Sequence, residues 1–141
     1  MRTLPVATAL ASLLALGCGP SALRLRAEEN VQTTSTAVLE VRSSGGESAP
    51  GVGPALDETE LWLRRAEHAI ERWEGERSFA YETVAPCLAR SLNDTREALT
   101  AAGLPVPESL DEAEAQAGSV VDATCPRPAS AQRPTAPAAT P

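Results

Sequence analysis

Few residues of this 141-residue chain have the type and spacing that chemistry needs. His68 is the single histidine, and on a helical projection it falls with Leu61, Arg65 and Arg72, away from the tryptophans, where a solvated side chain is expected. A metal or general-base role needs partners, and no HExxH or Cys/His cluster supplies them. Asp111, Glu112 and Glu114 carry enough charge for a hard cation, but they lack the loop pattern of a calcium site and fit the acidic start of a helix better. The sequence holds no Gly-x-Ser-x-Gly elbow, phosphate-binding loop or dinucleotide fingerprint. No catalytic residue, metal ligand or cofactor is therefore assigned, and a hydrolase built from the plentiful serines and carboxylates is the least supported reading. Trp62 and Trp73 lie 11 residues apart on one helical face. Exposed, they would make a candidate ligand or partner face, for instance a sugar-stacking platform; buried, they are two large apolar bodies for a core, which a chain so poor in aromatics needs. Asn93-Asp94-Thr95 matches a glycosylation sequon but lies in a helical stretch and is discounted.

Cysteine is the most informative type, and it leads to the start of the chain. Met1–Cys18 reads MRTLPVATALASLLALGC. The Met1 amine and Arg2 make a positive front edge, and Leu4–Leu16 carries no charge. A bilayer span needs ~20 apolar residues, so this run has the length of a secretory-signal core instead. Its end, Leu14-Ala15-Leu16-Gly17-Cys18, resembles the lipobox of bacterial lipoproteins. In that family an aliphatic and a small residue precede an obligatory cysteine, which takes a diacylglyceryl group on its thiol and becomes the new N-terminus. The resemblance implies lipidation at Cys18, with Gly17 at the small position before the cut. Ala15 stands where the family usually has Leu. The likeness covers the first 18 residues and says nothing of the mature domain. The alternative is an ordinary signal cut elsewhere, for example after Ala22, which would discard Cys18.

The lipobox resemblance also accounts for the odd number of cysteines. Three thiols in an exported chain leave one over. With Cys18 committed to lipid, Cys87 and Cys125 remain, 38 residues apart, and in an oxidising envelope compartment they are expected to pair. The other reading of Cys87, a free catalytic thiol, lacks a nearby basic partner to lower its pKa.

Charge narrows the partners. Removal of Met1–Gly17 takes Arg2 with it and leaves 11 basic against 19 acidic residues, a formal net charge of −8. That acidity argues against a nucleic-acid binder, which needs a basic face, and against electrostatic docking to anionic lipid. The expected partners are a membrane, through a lipid anchor at Cys18, and a protein of unspecified identity. All 12 basic residues are Arg, and Ala and Pro abound, a bias that suits a GC-rich bacterial genome. The expected location is the bacterial cell envelope. Gly19 is not the Asp that retains enteric lipoproteins at the inner membrane, so analogy favours the outer one.

The elements that carry these residues read as helices. Gly19–Pro54 reads as a tether, because Ser43-Ser44-Gly45-Gly46 and Pro50-Gly51-Val52-Gly53-Pro54 look like punctuation. Within it, Val31–Arg42 fits either an alternating strand or one side of a weak helix stopped by Gly45; no later segment offers a strand partner, which favours the helix. Asp57 and Glu60 resemble a capping box, with Leu56 stapled onto Leu61 and Glu60 paired to Arg64, opening a helix that Gly75 ends. Ser78 caps a second helix to Ala102, with a stripe of Tyr81, Val84, Ala85, Leu88, Leu92 and Leu99. Pro86 either kinks it or marks a restart. Gly103 and Pro105 stop it, and Pro107 opens a thin third helix whose apolar side is Leu110, Ala113, Ala117, Val120 and Val121.

These readings combine into an all-α protein. Residues 1–17 are a signal peptide and 18–55 a lipidated tether with a weak helix. Residues 56–125 are a small disulfide-stapled helical hairpin or three-helix domain, and 126–141 a disordered Pro/Ala-rich tail. The function expected is that of a non-enzymatic interaction or structural lipoprotein; the alternative is a small-molecule or carbohydrate binder using the Trp62/Trp73 face.

Overall fold

The computed structural model describes residues 20–119 and Cys125. The signal peptide and Cys18, Val120 and Val121, and the tail 126–141 lie outside the described residues. Those described are all-α: α1 (Ala22–Ser43), a 3-10 turn (Gly46–Ser48), α2 (Val52–Glu71), α3 (Phe79–Ala101) and α4 (Glu108–Gly118). Short connectors force successive helices antiparallel. Each helix packs on the two beside it, α1 on α2 and α4, α3 on α2 and α4, which closes an up-down-up-down bundle.

The expected tether is corrected here. Over Ala22–Ser43 it is a helix built into the core, so the bundle has four helices rather than three. Ser21 caps α1, its Oγ accepting from the Arg24 amide at 3.2 Å, and Arg24 pairs with Glu28 one turn on at 2.9 Å. The buried face is Ala27, Asn30, Thr34, Ala37, Val38 and Val41, at helical spacing. Most of those side chains are small, and three of the larger apolar ones, Leu23, Leu25 and Leu39, point out. A face of small residues permits close helix approach but leaves a faint apolar signature in the sequence. The glycine-rich stretch is a reversal, not a loose linker. Gly45 (φ 77°) and Gly51 (φ 83°) take left-handed conformations that turn the chain from α1 into α2.

Three expectations for α2 also change. The helix begins at Val52 with Gly51 as its cap, so Asp57 lies inside it and caps nothing. Pro54 is accommodated because it falls in the first turn. Leu56 is buried while Leu61 is 41% exposed, so no staple forms. Glu60 pairs with Arg42 of α1 at 2.9 Å instead of Arg64. Arg42 also meets Glu47 at 2.6 Å and Asp57 at 3.5 Å, joining α1, the turn and α2. The hydrogen bond and charge of Glu60 raise the Arg42 pKa further above its ordinary value.

α3 follows its sequence signals closely. Ser78 caps it, Oγ accepting from the Tyr81 amide at 3.2 Å. It runs unbroken through Pro86, whose missing N–H leaves the Glu82 carbonyl without its i+4 donor. At its end Gly103 (φ 68°) donates to the Thr100 carbonyl and Leu104 to that of Leu99, a Schellman motif. α4 buries Leu110, Ala113 and Ala117 against α1 and α3. Cys87 and Cys125 are disulfide-bonded, Cα atoms 4.6 Å apart, so the chain beyond α4 is stapled to α3.

Candidate functional site

The residues singled out from sequence do not converge. Trp73, just past α2, is 8% exposed; its indole N–H donates to the Gly75 carbonyl at 3.2 Å and its ring lies 5.9 Å from that of Tyr81. Trp62 is half-buried, donates to Glu58 at 3.4 Å, and carries the Arg65 guanidinium over its ring at 4.5 Å. Glu58 also receives Arg90 of α3 at 3.1 Å. The two rings do not form one open aromatic face: one is core, and the other is roofed by a cation. The helical rise alone separates them by ~16 Å.

The acidic and histidine candidates are also accounted for by their neighbours. His68 is exposed, with Glu71 at 3.5 Å. Asp111 and Glu114 flank Arg96 of α3 at 3.9 and 3.0 Å, and Glu112 accepts from Gln116 at 3.2 Å. Among the described residues no group of three His, Cys, Asp or Glu is placed to hold a metal ion. Asn93 of the sequon is half-buried within α3 and donates to Glu97 at 3.1 Å, while Thr95 is fully buried and bonds Thr59 of α2 at 3.1 Å, so the sequon sits in a packed helix rather than in an open surface loop.

Sequence reasoning missed one buried polar cluster. Asn30 of α1 donates to the Ala113 carbonyl of α4 at 2.9 Å and accepts from the Tyr81 hydroxyl of α3 at 3.1 Å. Burial pushes the Tyr81 phenol up to about 12. The signal available was the spacing Ala27–Asn30–Thr34, which places an amide on a buried face.

Two adjoining hollows lie at one end of the bundle, and a third, of about 420 Å³, is lined by Arg96, Glu97, Thr100 and Ala101 near the end of α3. At the end with the two hollows the start of α1, the connector 72–78, the start of α3 and the end of α4 meet. A cleft of about 150 Å³ is lined by Leu23, Arg26, Trp73, Arg77, Tyr81, Glu82 and Ser119. An open groove of about 910 Å³ adjoins it along Pro20–Arg24, Trp73 and Gly75–Glu76. Arg77 is held by Glu82 at 2.8 Å, which raises its pKa through the hydrogen bond and then the charge. Arg26 is exposed and makes no ion pair among the described residues. The Tyr81 hydroxyl is turned inward to Asn30. Leu23, Trp73 and Tyr81 make the apolar part of this surface, rimmed by Arg24, Arg26 and Arg77 and by Glu28, Glu76 and Glu82; among the described residues no nucleophile stands beside a base there. No helix among the described residues is long and apolar enough to cross a membrane. No protein-family model matches the chain, and no curated protein or solved structure is detectably similar to it.

Proposed function

We propose that this chain is a lipid-anchored bacterial envelope lipoprotein whose helical bundle serves as a non-enzymatic interaction or structural module, on the outer membrane by the analogy drawn from Gly19. The observation that supports it is the Cys87–Cys125 bridge. It uses two of the three cysteines and leaves Cys18, the one in the lipobox-like stretch, for lipid. A disulfide also suits an oxidising compartment outside the cytosol. One acyl chain binds membranes marginally, whereas two or more on a single residue hold firmly.

The test is Cys18→Ser in the full chain. Wild type is expected to carry the added mass of a lipid and to partition into detergent; the variant is expected to stay an unprocessed precursor without that mass. A variant that is processed and partitions like wild type overturns the reading.

A further inference from the structure

Five large apolar side chains are exposed among the described residues: Leu23, Leu25, Leu39, Leu61 and Phe79. Three of them sit in the first turns of α1 and α3, the two helices that start at the grooved end. Phe79 is 83% exposed, Leu25 51% and Leu23 43%, values that an apolar core does not explain; Leu39 (64%) and Leu61 (41%) are exposed singly elsewhere on α1 and α2. Side chains on an α-helix lean toward its N-terminus, so those in the first turns of α1 and α3 tilt out past the same end of the bundle. The chain from Cys18 enters at this end. Four peptide links separate Cys18 from Ala22, a reach of ~14 Å at full extension. A lipid on Cys18 would therefore hold this end within that reach of the bilayer.

We propose that the grooved end is a membrane seat: Leu23, Leu25 and Phe79 enter the headgroup–acyl boundary of the bilayer that holds the Cys18 lipid, and Arg26 meets a lipid phosphate. This rests on the lipid-anchor reading above. In the 72–78 connector at the same end, exposed Glu74 and Glu76 balance exposed Arg72 and Arg77, so this end carries no large cationic surplus for anionic lipid, and a zwitterionic phosphatidylcholine or phosphatidylethanolamine surface suffices. Residues that dip into an interface penetrate ~5–10 Å, the depth available to side chains in a first helical turn. The seat fixes the bundle's orientation, with the 44–51 and 102–107 connectors facing away from the membrane.

The experiment uses the full-length protein, processed in cells, purified and placed in phosphatidylcholine vesicles carrying bromine on the acyl chains. Phe79→Trp and, independently, Leu23→Trp add an emitter at the seat; Leu61→Trp adds one partway along α2, and all three positions are exposed enough to leave the core untouched. The emission added at either seat position is expected to fall by about half at interfacial depth, and that added at Leu61 to stay nearly unchanged. Equal quenching at all three positions in protein of lipidated mass overturns the seat while leaving the anchor intact; the end then faces a protein or a second copy. Seat quenching that appears only with anionic lipid overturns it as well. Protein without acyl mass overturns the anchor reading and this inference with it.

Discussion

The hydroxyl of Tyr81 and the side-chain oxygen of Asn30 meet 3.1 Å apart inside the bundle, and the same amide donates to Ala113 at 2.9 Å. One side chain thus ties α1 to both α3 and α4. A buried polar group left unpaired costs ~1–3 kcal/mol, and truncation adds a cavity. Asn30→Ala is therefore expected to lose ~2–4 kcal/mol in urea unfolding, and Tyr81→Phe ~1–2 kcal/mol. The double variant should show a coupling above ~0.5 kcal/mol. Additive losses would mean that the bond contributes nothing.

Alkali should act through the same residue. The Tyr81 phenol is raised from 10.0 to about 12 by burial, so between those pH values the unfolded chain loses a proton that the folded one keeps. Stability is whole below pH 10 and falls as pH rises toward 12, by up to ~2–3 kcal/mol. Tyr81 is the only tyrosine, so its phenolate absorbance reports one site. A phenol that titrates at its ordinary value in the folded protein contradicts the burial, as does an unfolding midpoint with the same alkaline slope in Tyr81→Phe.

Reduction of Cys87–Cys125 is expected to lower stability by ~2–5 kcal/mol. Leu110 and the Asn30–Ala113 bond hold the first half of α4 without help from the bridge. Hydrogen exchange after reduction should therefore rise first over Ala115–Gly118, with Glu108–Ala113 and α2 protected longer. Uniform loosening of all four helices, or unchanged exchange near Gly118, goes against this.

The tryptophans should differ in emission. Trp73 is expected to emit blue-shifted light shielded from iodide, and Trp62 to supply the accessible fraction. Trp62→Phe should leave a blue, poorly quenched spectrum. A red, fully quenched one would restore the open aromatic platform that the structure does not form.

Local signals were legible in the residues because they need only near neighbours. Ser78, Gly103 and Pro107 bound their helices as read, since a cap or stop is satisfied within a turn. The stripe from Tyr81 to Leu99 pointed inward because its side chains are large and evenly spaced. Cys87 and Cys125 could be paired once Cys18 was set aside. α1 was not legible as core: Ala27, Thr34 and Ala37 release little apolar area each, and they are buried only because α2 and α4 close over them. Nor could the sequence show that Glu60 turns to Arg42 rather than Arg64, or that Thr59 meets Thr95, since cross-helix partners depend on which faces oppose. The gathering of Leu23, Leu25 and Phe79 at one end is of the same kind. These residues lie up to 56 positions apart, and the antiparallel run of α1 through α3 is what brings two helix starts to the same side of the molecule.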